Sequence, residues 1–204
     1  MNMNDMIHDA PEVSKPRASV RIVALGGTTR AGSSTEKALR LALAAAQAEG
    51  AQTRLFTGSD IDFPMYAPER PERTQAARDL VEALRSADGI IVGSPGYHGS
   101  VSGLVKNALD YTEDMSKDGS PYFDGRAVGC LATGTGWQGA NTTLSALRNV
   151  VHALRGWPTP LGVAINTREP VFDADGACLS PEVDAQLRMM AMQVLNFARL
   201  IKHG

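Results

Sequence analysis

Five short apolar segments of this chain alternate with segments that have the periodicity of amphipathic helices. The alternation predicts strands over residues 19–25, 52–57, 89–93, 127–132 and 161–165. It predicts helices over residues 33–49, 74–86, 101–111 and 181–202, and one more after the fourth strand that ends at Gly156-Trp157-Pro158. Because strands that are apolar on both faces need helices on both sides, the alternation predicts a doubly wound α/β fold with a five-stranded parallel sheet.

The number of strands also predicts their order. Five strands fit the flavodoxin-like order 2-1-3-4-5 better than the six-stranded order of dinucleotide-binding domains. In that order the first, third and fourth strands are neighbours, so the loops after them meet at one crevice. No internal repeat and no shift in composition marks a second domain. We therefore predict a single domain over residues 19–204, preceded by a disordered arm over residues 1–18 that is polar and contains Pro11 and Pro16.

The overall composition argues against several classes of protein. The net charge is -2 and no basic run stands out, so there is no electrostatic reason to expect a nucleic-acid partner. The longest apolar run, over residues 41–46, is far too short to cross a bilayer, and the N-terminus lacks the apolar core of a secretion signal. Cys130 and Cys178 form no C-x-x-C pair, and the four histidines lack metal-ligand spacing. We therefore expect a cytoplasmic protein that binds no metal, no nucleic acid and no membrane.

The loop after the first strand carries glycines, hydroxyl groups and one arginine directly before a helix. It reads Gly26-Gly-Thr-Thr-Arg-Ala-Gly-Ser-Ser-Thr35, and Ser33 and Glu36 predict a capping box at the start of the helix. Backbone N–H groups and the dipole at a helix N-terminus favour an anion, and Arg30 adds positive charge. The glycine spacing matches that of a nucleoside-triphosphate loop, but a serine stands where that motif requires lysine. The pattern predicts a site for a phosphate monoester, the alternative being a capped helix after a flexible turn.

The loop after the third strand is the most informative part of the chain. Ser94-Pro95-Gly96 is expected to end the strand, with Tyr97 and His98 at the tip of an irregular loop. Gly99 and Gly103 let the main chain approach a partner closely before a helix resumes. An aromatic ring beside bare backbone amides suits a flat ligand that forms hydrogen bonds. The alternative is an ordinary strand-to-helix turn with a partly buried tyrosine.

The loop after the fourth strand has the formal spacing of a dinucleotide-binding fingerprint. It reads Gly134-Thr-Gly-Trp-Gln-Gly139, which matches G-x-G-x-x-G. Two features oppose that interpretation: the loop belongs to the fourth βα unit rather than the first, and residues 159–167 contain no acidic residue to hold a ribose. We expect these glycines instead to place backbone N–H groups against the polar edge of a flat ring, with Trp137 covering that ring or packing at its rim.

A phosphate site, an aromatic side chain and ring-edge amides together outline FMN. Two segments resemble signatures of the NADPH-dependent FMN reductase family. Residues 27–35 are similar to G-S-x-R-x-x-S-x-N, with Thr28 in place of serine and Thr35 in place of asparagine. Residues 95–111 are similar to P-E-Y-N-G-S-x-P-G-x-L-K-N-A-x-D-W, with glycine for glutamate, histidine for asparagine and serine for the second proline. The resemblance covers roughly residues 19–200.

The resemblance implies an oxidoreductase that passes a hydride from NADPH or NADH to FMN and on to a small-molecule acceptor. That acceptor is open between a quinone, an azo compound and free flavin supplied to a flavin-dependent monooxygenase. The resemblance also implies a homodimer or homotetramer, to which the apolar stripe of the last helix, with Met189, Met190 and Met192, adds support. Two other functions stay open: a flavodoxin-type electron carrier, which commonly has a stronger acidic excess, and a dehydrogenase that uses residues 134–139.

No side chain of this chain is predicted to be catalytic, because the flavin carries the chemistry. Tyr97 and His98 are expected to position its ring. Lys106, Asn107 and Asp110 are expected to tie the second loop to its helix. The residues expected to contact FMN are Thr28, Arg30, Ser33, Ser34, Thr35, Pro95, Gly96, Tyr97, His98, Gly99, Thr133, Gly134, Thr135, Gly136 and Trp137.

Overall fold

The computed structural model describes residues 19–203, so the predicted arm over residues 1–18 lies outside the described chain. The strands are β1 (Arg21–Gly26), β2 (Gln52–Phe56), β3 (Gly89–Tyr97), β4 (Ser100–Val101), β5 (Ala127–Gly134), β6 (Trp157–Pro158) and β7 (Val163–Asn166). The helices are α1 (Ser34–Ala48), α2 (Gln75–Arg85), α3 (Gly103–Asp110), α4 (Trp137–Ala153) and α5 (Pro181–His203), with 3-10 turns over Gly58–Ile61 and Tyr111–Met115. None of the helices in residues 19–203 has the length and apolar character needed to cross a membrane.

One sheet contains the strands, in the order β2-β1-β3-β5-β6 along its main path. The strands along this path are parallel to their neighbours, and β7 also pairs in parallel with β5. β4 forms an antiparallel pair with the end of β3. Because β5 is the fourth predicted strand and β6 with β7 make up the fifth, the predicted order 2-1-3-4-5 is confirmed.

Two short strands occupy the fifth position of the sheet: β7 overlaps the predicted strand over residues 161–165, whereas β6 lies where the sequence predicts the end of a helix. β6 pairs with Ala127 and Val128 of β5, whereas β7 pairs with residues 131–134 of the same strand. Pro160 lies between the two strands and has no N–H group to donate to the ladder. The predicted strand over residues 161–165 therefore begins too early, because β7 starts at Val163.

Helices cover both faces of the sheet, as the alternating side chains of β1 show. Ile22 and Ala24 are buried in a cluster with α1 and α5, whereas Val23 and Leu25 are buried in a cluster with α2, α3 and α4. In the second cluster, burial raises the pKa of the Cys130 thiol to about 12. This cysteine is therefore an inert core residue, as its apolar strand predicts.

β3 is longer than predicted, because Ser94-Pro95-Gly96 does not end it. The strand continues to Tyr97 and then turns back into β4. β1 ends opposite Gly93, so one edge of β3 is unpaired beyond that residue and tolerates a proline. The irregular loop expected here is instead a β-hairpin, which we call the β3–β4 hairpin (residues 94–102).

Candidate functional site

The loops after β1, β3 and β5 meet in one cleft at the carboxyl edge of the sheet, as the strand order predicts. The cleft has a volume of about 260 Å³. Its lining residues are Thr28, Arg30, Ser33, Ser34, Thr35, Pro95, Gly96, Tyr97, Thr133, Gly134, Thr135 and Thr167. All the contact residues predicted in the loop after β1 are therefore brought together with most of those from the other two loops.

The N-terminus of α1 forms one end of this cleft. Ser33 is the N-cap, and its Oγ accepts a hydrogen bond of 3.3 Å from the N–H group of Glu36. The N–H groups of Ser34 and Thr35 belong to the first two helical residues and have no acceptor within the helix. Both residues line the cleft. Their free N–H groups and the helix dipole make this end of the cleft suitable for an anion.

The predicted capping box is only half formed. The carboxylate of Glu36 does not return to the N-cap but accepts a hydrogen bond of 2.9 Å from the N–H group of Gly32. It also accepts two hydrogen bonds from Arg40, the shorter of 2.7 Å. Glu36 therefore stabilises the loop after β1 through its hydrogen bond to Gly32. Its ion pair with Arg40 offsets the negative charge of its carboxylate close to the anion end of the cleft.

The remainder of the loop after β1 is held by a short local turn. Thr28 Oγ1 accepts a hydrogen bond of 3.2 Å from the N–H group of Arg30 and lies 3.1 Å from the Arg30 carbonyl oxygen. Arg30 is exposed, and in residues 19–203 its guanidinium forms no ion pair. A positive charge without a carboxylate partner thus lies at the same end of the cleft as the α1 N-terminus.

The β3–β4 hairpin turns at His98 and Gly99. Both have positive φ, at 52° and 82°, which is the geometry of a two-residue type I′ turn. On the strand before the turn, Ser94 Oγ accepts a hydrogen bond of 3.0 Å from the N–H group of Ser102 and donates one of 2.9 Å to the Pro95 carbonyl. These bonds fix the hairpin on both of its strands.

The position of the hairpin against α4 depends on Gly96. A Cβ atom at this position would lie 2.6 Å from Thr143 Oγ1 and 3.1 Å from the Gly139 carbonyl oxygen, so only glycine fits without displacement. The next residue, Tyr97, exposes 53% of its surface at the edge of the cleft. The packing of Gly96 therefore determines where the tyrosine ring stands.

The end of β5 supplies the third wall of the cleft. Thr133 Oγ1 lies 2.7 Å from Thr35 Oγ1, which joins this wall to the start of α1. A Cβ atom at Gly134 would lie 3.0 Å from the Ala140 nitrogen, so this glycine permits the close approach of α4 to β5. Gly136 is the N-cap of α4, and a Cβ there would meet no atom within 4 Å.

Four predicted contact residues do not line this cleft. His98 and Gly99 form the hairpin turn, and Gly136 caps α4. Trp137, the first residue of α4, exposes 60% of its surface and lines a neighbouring groove of about 850 Å³ between α4, β7 and the start of α5. Thr167 lines the cleft but was not predicted; its N–H group donates to the Gly134 carbonyl over 2.7 Å. The signal for it was a hydroxyl residue directly after the fifth strand.

Asn107 has a structural role, as predicted, but it does not tie the second loop to its helix, and Lys106 and Asp110 pair with each other on α3 over 2.6 Å. Its Oδ1 accepts a hydrogen bond of 2.8 Å from the N–H group of Tyr66. Its Nδ2 donates to the carbonyl oxygens of Phe63 and Pro64 at 3.2 and 3.1 Å. The side chain thereby joins α3 to the segment that precedes α2, and it takes no part in the cleft.

Comparison with known proteins identifies relatives of this chain. The model of the NADPH-dependent FMN reductase family matches residues 20–169. The FMN-dependent NADPH-azoreductase of Staphylococcus aureus is 33% identical over 141 residues, which are 68% of this chain and 71% of that protein. The resemblance read from the two loop signatures is thus confirmed by a match that extends well beyond them.

Solved structures share the fold. The flavoenzyme NAD(P)H:(acceptor) oxidoreductase FerB from Paracoccus denitrificans superposes with a TM-score of 0.73 at 18% identity, over 89% of this chain and 98% of that one. A flavodoxin, the WrbA-like protein from Agrobacterium tumefaciens, superposes with a TM-score of 0.62 at 19% identity, over 90% of this chain and 100% of that one. These likenesses and the strand order confirm the predicted flavodoxin-like fold.

Proposed function

The chain belongs to the NADPH-dependent FMN reductase family, and we propose that the cleft formed by the loops after β1, β3 and β5 holds its FMN. The protein is an oxidoreductase that uses NADPH or NADH as hydride donor and FMN as its flavin. When bound, FMN supplies the redox chemistry of the reaction. The residues of the cleft have the remaining tasks of binding the flavin, orienting it and admitting the acceptor.

The single observation that carries this placement is the set of free donors at the start of α1. Two N–H groups, those of Ser34 and Thr35, have no helical acceptor, and the guanidinium of Arg30 has no carboxylate partner in the described chain. A phosphate monoester offers several strong acceptor oxygens and a negative charge to such a set. The donors therefore fit the phosphate of FMN.

The other two walls suit the flat part of the flavin. Tyr97 presents an exposed aromatic ring on a hairpin that is fixed by its own hydrogen bonds. The N–H group of Thr135, directly after β5, donates to no acceptor within the described residues and is free for a polar ring edge. Gly96 and Gly134 permit the close packing of α4 against both of these walls.

The test of this placement is a comparison of FMN with riboflavin, which lacks the phosphate. Charge-assisted hydrogen bonds contribute roughly 1.5–3 kcal/mol each. We therefore expect the apoprotein to bind FMN at least about tenfold more tightly than riboflavin. Flavin fluorescence quenching measures both dissociation constants. Equal values for the two flavins would contradict the assignment of the α1 N-terminus to the phosphate.

We propose an azo compound or a quinone as the acceptor. The azoreductase relative supports the first, and the exposed Tyr97 leaves the cleft open to a flat aromatic molecule. Steady-state turnover with NADPH and with NADH, each against an azo dye, a quinone and free FMN, tests this proposal. Faster turnover of free FMN than of either aromatic acceptor would favour a flavin-dependent monooxygenase as partner. Failure of both nicotinamides to bleach the bound flavin would favour an electron carrier.

We propose that the outer face of α5 joins subunits of a homodimer or homotetramer. Met189 and Leu200 expose 57% and 71% of their surface, and the helix has no charged residue between Arg188 and Arg199. Met190, by contrast, is fully buried in the core and adds nothing to this face. Large apolar side chains that stay exposed on one helix, here with Ile201 at 64%, are a feature of subunit interfaces. Light scattering at micromolar concentration tests the assembly, and a monomeric mass would rule it out.

A further inference from the structure

The groove between α4, β7 and the start of α5 adjoins the proposed flavin cleft. Thr135 lines the cleft, and Trp137, which follows it after one residue, lines the groove. The same change occurs after β7, where Thr167 lines the cleft and Arg168 lines the groove. Because β5 and β7 are parallel neighbours, these two places lie side by side at the carboxyl edge of the sheet. A ligand can therefore extend from the cleft into the groove.

The two spaces differ in size. The cleft has a volume of about 260 Å³ and the groove one of about 850 Å³. Ligand sites commonly enclose roughly 300–1,000 Å³. With FMN in the cleft, a nicotinamide ring that meets the flavin must have most of its dinucleotide outside the cleft. The groove adjoins the cleft and is large enough for the adenosine half of that dinucleotide.

Two large apolar side chains stay exposed in the groove. Trp137 and Leu179 expose 60% and 56% of their surface, and both line it. The backbone of Leu179 is held in place, because its N–H group donates a hydrogen bond of 2.8 Å to the Val171 carbonyl. An aromatic side chain offers a stacking surface to any nucleic-acid base, since every base has a π-face. The pair therefore suits the flat face of an adenine ring.

The charged residues that line the groove are Arg168, Glu169 and Glu182. The N–H group of Arg168 donates a hydrogen bond of 3.1 Å to Asn166 Oδ1, which fixes the turn after β7. Its guanidinium is exposed and forms no ion pair with any residue in 19–203. Glu182, by contrast, accepts a hydrogen bond of 3.3 Å from Gln186. In dinucleotide sites an arginine accommodates the 2′-phosphate of NADP, whereas an acidic residue binds the ribose hydroxyl of NAD. Arg168 is thus available to a phosphate group.

We propose that the groove binds the adenosine half of NADPH, with the adenine ring on Trp137 and the 2′-phosphate on the guanidinium of Arg168. This inference rests on the proposed position of FMN in the cleft. NADH has no 2′-phosphate, so it keeps the contact with Trp137 and lacks the one with Arg168. Glu169 adds a negative charge next to Arg168 and weakens the preference for NADPH. The groove thereby determines which of the two nicotinamides the protein prefers.

Binding to the FMN-loaded protein is tested with two adenosine fragments that lack nicotinamide. Adenosine 2′,5′-bisphosphate carries the 2′-phosphate, and adenosine 5′-monophosphate does not. By calorimetric titration, wild type should bind the bisphosphate at least about tenfold more tightly, because one charge-assisted contact is added. Arg168→Ala should remove this difference. Trp137→Ala should weaken the binding of both fragments about tenfold through the loss of stacking. Trp157→Ala, at a similarly exposed tryptophan that does not line the groove, should change neither affinity.

Reduction of the bound flavin by NADPH and by NADH gives a second readout that needs no acceptor. Stopped-flow rates measured against nicotinamide concentration give an apparent dissociation constant and a limiting rate for each donor. Arg168→Ala should raise the dissociation constant of NADPH about tenfold and leave that of NADH unchanged. Both limiting rates should stay the same, because the contact lies away from the reacting ring. Glu169→Gln removes the opposing charge and should lower the dissociation constant of NADPH by about threefold.

Three results would overturn the inference and leave the flavin site in place. They are equal affinities of wild type for the two fragments, wild-type affinity of Arg168→Ala for NADPH, and equal losses of affinity for NADPH and NADH in that variant. Weaker FMN binding by Arg168→Ala would show that the groove belongs to the flavin site, and it would overturn the inference as well. Failure of the wild-type apoprotein to bind FMN would instead overturn the proposed function itself.

Discussion

The loop after β1 and the β3–β4 hairpin face the same cleft but use their polar groups in opposite ways. The loop over residues 27–35 keeps donors free, in the first turn of α1 and on Arg30. The hairpin uses its polar groups internally, since Ser94 accepts from Ser102 and its turn residues close a two-residue connection. The difference indicates a division of labour, in which the loop supplies binding energy and the hairpin supplies position.

This division predicts that substitutions in the two regions are separable by measurement. Removal of a free donor of the loop should weaken FMN binding and leave the apoprotein stable, because that donor has no partner to lose. A change in the hairpin should destabilise the apoprotein, because its groups already have partners.

The largest effect is expected from Arg30→Ala, because it removes the exposed positive charge beside the α1 N-terminus. The loss of a charge-assisted hydrogen bond to phosphate should weaken FMN binding by about 1.5–3 kcal/mol. Riboflavin binding and the melting temperature of the apoprotein should not change, since Arg30 has no ion-pair partner in the described residues. Arg168→Ala, at a position that lines the neighbouring groove and not the cleft, is the matched control. Equal losses for FMN and riboflavin would contradict a phosphate contact.

Gly96→Ala tests the opposite case. The added Cβ would lie 2.6 Å from Thr143 Oγ1, so the hairpin or α4 must shift. Overpacking of this kind typically costs about 1–3 kcal/mol, which should lower the melting temperature of the apoprotein. Gly103→Ala is the control, because a Cβ at that helical position meets nothing within 4 Å. A Gly96→Ala protein as stable as wild type would show that the hairpin is not held against α4.

The sequence predicted the convergence of the three loops, because hydrophobic periodicity indicates the number of strands and parallel order then brings their carboxyl ends together. It did not predict the hairpin. Ser94-Pro95-Gly96 has the composition of a strand terminator, and its tolerance within β3 depends on β1 ending opposite Gly93. The end of β1 is set by the pairing of the sheet and cannot be read from residues 94–96 alone. Local composition therefore misleads where a neighbouring strand decides the outcome.

The contact between Thr35 and Thr133 was also beyond sequence reasoning. Each was expected to contact FMN from its own loop, but no local pattern relates two hydroxyls 98 positions apart. The position of Trp137 was similarly open. The residue follows the Gly136 N-cap, and the direction in which α4 leaves β5 turns its side chain to the neighbouring groove. The position of Trp137 along the chain placed it close to the cleft, as predicted. The direction of its side chain depends on how α4 packs against β5, which the sequence does not show.

His98→Asn should make the hairpin slightly more stable. His98 has φ of 52°, and asparagine followed by glycine is the preferred pair for a type I′ turn. We expect a gain of about 0.5 kcal/mol in the free energy of unfolding of the apoprotein. His98→Ala should instead lose about 1 kcal/mol, because alanine disfavours positive φ. Chemical denaturation measures both, and a stabilising alanine would show that the turn does not need this geometry.

The smallest effect is expected on hydride transfer itself, from His98→Ala and Tyr97→Phe. Neither residue is needed as an acid or base, because the flavin supplies the chemistry and the hairpin only positions its ring. His98 does not line the cleft, and phenylalanine keeps the ring of Tyr97 while removing its hydroxyl. Each variant, fully loaded with FMN, should therefore retain single-turnover reduction by NADPH in a stopped-flow measurement, without the loss of roughly 10²–10⁴-fold that removal of a general acid or base causes. Gly103→Ala again serves as the control, here for protein preparation and for the fraction of sites filled with FMN. Complete loss of reduction in either variant, with the flavin still bound, would show that the hairpin holds a proton-transferring residue and would end the division between a binding loop and a positioning hairpin.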